Sequence, residues 1–356
     1  MRRPVRVLIV DDSALMRQML SAILSSDPRI EVVDTAADPL IAREKIKTLN
    51  PDVVTLDVEM PRMNGLDFLA KIMTLRPTPV IMISSLTAEG TDASLRALEL
   101  GAVDVVGKPT GFINEGMENL RHEIIEKILA AACSHVQSTG RSGHTVRHPR
   151  LEHGLGSDRV IAIGASTGGV PAIASILEAM PANAPPILIV QHMPEAFTQR
   201  FASRLDNLCD ITIREGRDRQ IIQSGHAYIA PGGRMMSLKG DMTLQINDSE
   251  KVNGFRPSVD VLFDSIAKVV GAKAIGVLLT GMGDDGARGL LRMRQSGAVT
   301  FGQDQASSIV YGMPRAAIQL GAVCQQLPIQ KMAGAIVGLC RVQGVDASNV
   351  FNEPVT

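Results

Sequence analysis

Five times between Val5 and Ala132, a short apolar run rich in Val and Ile gives way to a stretch with helical spacing. Runs that do not alternate polar with apolar are buried on both faces, and parallel strands joined by helices are the arrangement that buries them so. Strands are expected at Val5–Val10, Glu31–Ala36, Asp52–Asp57, Pro79–Ser84 and Val103–Val106. Helices are expected at Ser13–Ser25, near Pro39–Leu49, and at Leu66–Leu75, Thr91–Leu100 and Glu118–Ala132, with Ser13 placed to cap the first. This order specifies a doubly wound (βα)5 domain of the flavodoxin-like class.

Ser134 to Ser157 breaks the rhythm: Ser, Gly, His and Arg without apolar period read as a linker. His135, His144, His148 and His153 fall here, irregularly spaced and without carboxylate or thiol partners, so a solvated segment is favoured over a metal site. Strands then resume at Arg159–Gly164, Ile187–Gln191, Ile211–Arg214, His226–Ala230, Ala274–Leu279 and Val299–Gly302. Helices are expected at Val170–Met180, Phe197–Leu205, Val259–Val270 (capped by Ser258) and Gly286–Ser296. Met235–Leu238 and Met242–Ile246 flank Gly240-Asp241 as a hairpin. The expected organisation is a first α/β domain over 1–125, a linker over 126–157, a second, doubly wound parallel-sheet α/β domain over 158–345 and a tail over 346–356.

Composition excludes some classes. From Asp158 onward 18 Lys/Arg stand against 17 Asp/Glu, and Trp is absent, so neither the basic excess nor the stacking surface of a nucleic-acid binder is supplied. The four cysteines are far apart, which argues against zinc and disulfides and fits a reducing, cytoplasmic setting. The apolar run Val7–Val10 behind the basic start stops at Asp11-Asp12, too short for a signal sequence, and no run is long enough to span a membrane.

Asp11-Asp12 end the first strand, Asp57 the third and Ser84 the fourth, while Lys108 follows the fifth. In a parallel sheet these positions share one edge. Three carboxylates gathered there repel one another and call for a divalent cation, and oxygen ligands fit Mg²⁺. With the cation and Lys108 neutralising charge, one carboxylate can accept a phosphoryl group as an acyl phosphate. Residues 5 to about 125 resemble the receiver domain of two-component response regulators. The resemblance implies Asp57 as phosphoacceptor, and Asp12, Asp57 and the Glu59 carbonyl as Mg²⁺ ligands, with Asp11 acting indirectly. It also implies Ser84 as switch hydroxyl and Lys108 as phosphate contact. Val105 stands where that family often has an aromatic, which counts against an aromatic-rotamer switch.

In the second domain, Gly164-Ala-Ser166-Thr-Gly168-Gly169 follows an apolar strand and opens a helix. Glycines on both sides allow the sharp turn that exposes a nucleophile, and the letters satisfy G-x-S-x-G. The next strand ends in Gln191-His192-Met193, which puts a general base beside that turn. A later strand ends in Thr280-Gly-Met282-Gly-Asp284-Asp285-Gly286, where one acid is free to orient His192 and the Met282 amide to stabilise an oxyanion. The order Ser, His, Asp differs from the Ser, acid, His order of ordinary α/β-hydrolases. Ser166 stands where a dinucleotide fingerprint needs Gly, and no Gly-Lys-Ser/Thr follows for a P-loop.

From Val160 to about Leu327 the chain resembles the chemotaxis protein-glutamate methylesterase family (the CheB type) in its Gly-Ala-Ser-Thr-Gly-Gly, Gln-His-Met, Ala-Pro-Gly-Gly and Thr-Gly-Met-Gly-x-Asp-Gly segments. The resemblance implies Ser166 as nucleophile, His192 as base and Asp285, not Asp284, as orienter, with Thr167 and Met282 in support and no cofactor at this site. It further implies hydrolysis of glutamate methyl esters and deamidation of glutamines on methyl-accepting chemotaxis receptors. A chemotaxis histidine kinase is the implied phosphodonor, and the chain is expected to be a monomer.

Overall fold

β1 (Val5–Val10) carries Val7, Leu8 and Ile9 with no exposed surface, so it needs cover on both faces. α1 (Ala14–Ser25) and the helices that follow β2 (Ile30–Ala36), β3 (Val53–Asp57), β4 (Val80–Ser84) and β5 (Asp104–Gly107) supply it. These helices are α2 (Pro39–Leu49), α3 (Gly65–Leu75), α4 (Ala88–Glu99) and α5 (Asn114–Ala132). The computed structural model describes residues 3–60, 63–85, 87–108, 114–134 and 158–341. The chain divides into two units, Met1–Arg141 and Ser142–Thr356.

In the first unit the strands pair in parallel in the order β2-β1-β3-β4-β5. Helix starts follow their caps: Ser13 accepts the Met16 amide, and Asp38 those of Leu40 and Ile41. Asn64 accepts the Asp67 amide and Thr87 that of Gly90. The Thr87 cap starts α4 ahead of the expected Thr91. At the other end α5 runs to Ala132 and buries Ile124, Ile125, Ile128 and Ala131. The helix ends at Ala132, as its spacing predicts, so residues 126–132, which the boundary at 125 assigns to the linker, belong to α5.

The second unit opens with β6 (Val160–Ala165), α6 (Gly169–Leu177), β7 (Ile187–Gln191), α7 (Glu195–Asp206), β8 (Thr212–Glu215) and β9 (His226–Ile229). The hairpin β10 (Met235–Leu238) and β11 (Leu244–Asn247) forms a small antiparallel sheet of its own. Then come α8 (Val259–Val269), β12 (Ala274–Leu278), α9 (Ala287–Gln295) and β13 (Val299–Gln303). α10 (Met313–Gln319), β14 (Gln325–Leu327) and α11 (Ile329–Arg341) close the unit. These last three have no counterpart in the sequence pattern, because two of them are very short.

The large sheet is wholly parallel, in the order β14-β13-β12-β6-β7-β9-β8. From β6 the chain first builds outward through β7, then returns to lay β12 on the other side. The crevice at the carboxyl ends of β6 and β12 is thus the switch point where parallel sheets bind ligands. Met236, Leu244, Leu262, Phe263 and Ile266 belong to one core cluster with Val160, Ala162 and Leu278 of the sheet. That cluster holds α8 and the small hairpin beside the crevice.

The linker with its four histidines, and the tail, lie outside the described residues. Among the described residues no helix is long and apolar enough to cross a membrane. Phe263 has no exposed surface and packs in the cluster that seats α8. Phe263→Ala should therefore lower the stability of this unit by about 3–5 kcal/mol, measured by urea unfolding.

Candidate active site

Ser166 follows the last residue of β6 and its backbone is held from three sides. Its amide donates to the Thr280 carbonyl at 3.0 Å, and its carbonyl accepts from the Gly169 amide at 2.7 Å and Gln191 Nε2 at 2.9 Å. Gly168 takes φ +77° and lets α6 start at once, a conformation a side chain would strain. The turn after β12 presses so close that a Cβ on Gly281 would sit 2.7 Å from that of Ser166. The serine side chain, half-buried, is left at the mouth of the crevice.

His192 continues β7, its amide donating to the Ala165 carbonyl at 3.1 Å, so it emerges beside the serine turn. Its Nε2 lies 2.8 Å from Asp285 Oδ2. Its Nδ1 is buried and has no hydrogen-bond partner among the described residues. The ring lies flat on Phe255, centroids 4.1 Å apart and planes 6° from parallel.

Asp285 has no exposed surface, whereas Asp284 is exposed. The Asp285 carboxylate also accepts from Ser258 Oγ at 2.8 Å and from the amides of Val259 at 2.7 Å and Asp260 at 3.2 Å, the first turn of α8. Burial alone would raise its pKa. The hydrogen bond and charge of His192, then the Val259 amide and Ser258 hydroxyl, outweigh burial and hold the carboxyl below its usual range. Thr280 Oγ1 donates to the Thr167 carbonyl at 2.9 Å, joining the two turns, and the Gly281 carbonyl accepts from Gly312 and Met313. The Met282 amide donates to no acceptor among the described residues.

The second cluster, in the first unit, lies at the carboxyl ends of β1 and β3. Oxygens of Asp11, Asp12 and Asp57 lie within 4.8 Å of one another. Asp57 Oδ1 meets Lys108 Nζ at 2.8 Å and accepts the Glu59 amide at 3.2 Å. Asp11 Oδ2 and Asp57 Oδ2 are buried without partners among the described residues. Burial, then the charge of Asp57, raises the Asp11 carboxyl to about 6, and burial raises Asp57 against the pull of Lys108. Lys108 loses from burial but gains more from Asp57, Asp11 and Asp12, so its pKa rises. Orphaned carboxylate oxygens that resist ionisation are what a divalent cation would satisfy. An adjoining cavity of about 490 Å³ is lined in part by Asp12, Glu59, Asn64 and Glu89. Ser84 is buried, its hydroxyl donating to the Gly90 carbonyl of α4 at 3.0 Å, and Val105 is buried on β5.

The structure thus gathers Ser166, His192, Asp285, Thr167 and Met282 around one crevice, and Asp11, Asp12, Asp57, Glu59 and Lys108 around the other, with Ser84 at the next strand end. Phe255 carried no functional signal in the sequence, because its contact is one that spacing does not encode. Gln191 stood only within the Gln-His-Met segment, without its bond to the Ser166 carbonyl, and Ser258 showed only its capping role.

A receiver and a serine-type α/β hydrolase on one chain is the class that these two sites define. The family described as CheB methylesterase matches residues 161–336, and the response regulator receiver domain matches residues 7–118. A protein-glutamate methylesterase/protein-glutamine glutaminase of Xanthomonas campestris is 50% identical, over 94% of this chain and 97% of that protein. One from Escherichia coli K12 is 52% identical over 92% of this chain and 95% of its own length. The catalytic domain of the Thermotoga maritima CheB methylesterase, a crystal structure, is 35% identical with a TM-score of 0.50, covering 51% of this chain and 98% of that one. The chain belongs to the CheB family of protein-glutamate methylesterases/protein-glutamine glutaminases.

Ser258→Ala removes one donor from a buried carboxylate and the cap from α8. Unfolding in urea should show a loss of about 1–3 kcal/mol, while Asp284→Asn, at an exposed position, should change stability by less than about 0.5 kcal/mol.

Proposed function

We propose that this chain hydrolyses γ-methyl esters of glutamate, and deamidates glutamine, on methyl-accepting chemotaxis receptors, under control of phosphorylation at Asp57. The observation that carries the reading is the bond from a fully buried Asp285 to His192 at 2.8 Å, at the strand edge where the half-buried Ser166 stands. Asp285 occupies Nε2, so Nδ1 is the nitrogen left to take a proton.

Acyl transfer then runs in two halves. His192 Nδ1 accepts the Ser166 proton as Oγ bonds to the ester carbon. The Met282 amide, with the turn at Thr167, meets the oxyanion. The ester C–O bond breaks, and His192 returns the proton to the departing methoxide, which leaves as methanol. Water, deprotonated by Nδ1, attacks the acyl-serine, Ser166 leaves with that proton, and a glutamate carboxylate remains. With glutamine the first leaving group is ammonia. The imidazolium that forms in each half faces the Asp285 charge, which stabilises it where water is excluded.

At the receiver, Asp12, Asp57 and the Glu59 carbonyl would hold Mg²⁺, with Asp11 behind them. The cation supplies charge neutralisation for a phosphoryl group. Lys108 contacts the same phosphoryl oxygens, and Ser84 turns its hydroxyl from the Gly90 carbonyl toward them. A chemotaxis histidine kinase is the donor in this reading, and the unphosphorylated receiver restrains the hydrolase.

Methanol release from methylated receptor membranes, with Mg²⁺ and a small phosphodonor present or absent, tests both halves. Ser166→Ala should lower kcat by several orders of magnitude. Asp57→Asn should keep the basal rate and lose all stimulation. Release independent of Ser166 would sink the esterase assignment, and stimulation surviving in Asp57→Asn would sink the switch. Asp11→Asn should weaken Mg²⁺ binding by about tenfold in isothermal titration.

A further inference from the structure

Phe255 has no part in the acyl transfer described, yet it covers one face of the base. It stands on a two-residue turn: Val252 donates to the Phe255 carbonyl at 3.1 Å, and Phe255 to the Val252 carbonyl at 2.9 Å. Between them Asn253 and Gly254 take φ +52° and +85°, the left-handed pair that tight hairpins use. Residues 251–254 are exposed and Phe255 is half-buried, so the turn adds little to the core. Arg256 fastens its base, donating to the carbonyls of Asp248 and Ser249 at 3.2 Å each. Two residues further on, Ser258 donates to Asp285. One short segment therefore reaches both the base and the acid that orients it.

A single hydrogen bond to Asp285 fixes one atom of the imidazole but leaves the ring able to tilt about that contact. A flat partner with its centroid 4.1 Å away and its plane 6° from parallel resists that tilt and so holds the plane in which Nδ1 lies. The face of a phenyl ring is also electronegative, so it attracts the imidazolium more than the neutral ring. The imidazolium is present only after His192 has taken the proton. A contact that strengthens at that moment lowers the barrier and leaves ground-state binding unchanged.

We infer that Phe255 is a positioning residue for the reaction, its ring fixing the His192 plane and favouring the imidazolium. The inference rests on the proposed roles of Ser166 and His192. It predicts a kcat effect specific to the aromatic face, separable from packing and from substrate contact.

The test uses the full-length protein, activated by a small phosphodonor, with methylated receptor membranes as substrate. Phe255→Leu keeps apolar bulk and loses the ring; Phe255→Tyr keeps the ring. The Leu variant should lose about tenfold in kcat with KM unchanged and the melting temperature unmoved, and the Tyr variant should recover most of the loss. Wild-type kcat in the Leu variant overturns the inference. So does equal impairment of Leu and Tyr, or a loss confined to KM. Ser166→Ala runs beside them: if it still releases methanol, the reading of the site fails, whatever Phe255 does.

Discussion

A carboxylate sealed from water must be met by donors, and Asp285 is met by four of them from two directions. Three come from the start of α8 and one from the end of β7. The turn after β12, the helix that crosses the sheet and the strand that bears His192 are thereby tied at one point. Removing any partner leaves charge buried and unmet, a cost that surface ion pairs such as that of Lys273 with Asp158 do not carry. The position of the base is thus set by the same bonds that seat the helix.

Both units place chemistry where strand order reverses, but they treat charge in opposite ways. At the crevice beside β6 every oxygen of the key carboxylate is satisfied by protein. At the end of β1 and β3, two carboxylate oxygens are buried and unmet among the described residues, and the Asp11 carboxyl is raised to about 6. The first arrangement is finished before a substrate arrives. The second leaves charge unmet, which a cation or phosphoryl group would satisfy in the proposed switch. In the proposed switch the Ser84 hydroxyl, bonded here to the Gly90 carbonyl of α4, is the group that would move.

The strands were legible because burial on both faces writes unbroken apolar runs, and site residues were legible because they stand at the ends of those runs. The positions of Ser166, His192 and Asp57 can be read that way. The expected role of Asp57, however, comes from the receiver resemblance, and Ser166 and His192 gain weight only by converging with a strand-end acid. The choice between Asp284 and Asp285 did not, since adjacent residues on a glycine-rich turn have no spacing to separate them; burial separates them. Phe255 was invisible for a related reason. It reaches His192 from a turn far along the chain, and a lone aromatic among polar residues carries no period. α10 and β14 are shorter than any window in which periodicity can be counted. The end of α5 at Ala132 was legible from its helical spacing, although the expected domain boundary falls earlier, at residue 125.

His192 gives its Nε2, not its Nδ1, to the aspartate. A carboxylate accepts, so Nε2 carries the hydrogen and Nδ1 the lone pair. Neutral histidine in water already prefers that tautomer. In the proposed reaction the acid therefore has no tautomeric equilibrium to reverse: the neutral ring would enter each cycle in its intrinsically favoured form, and all of the carboxylate's influence is left for direction and charge.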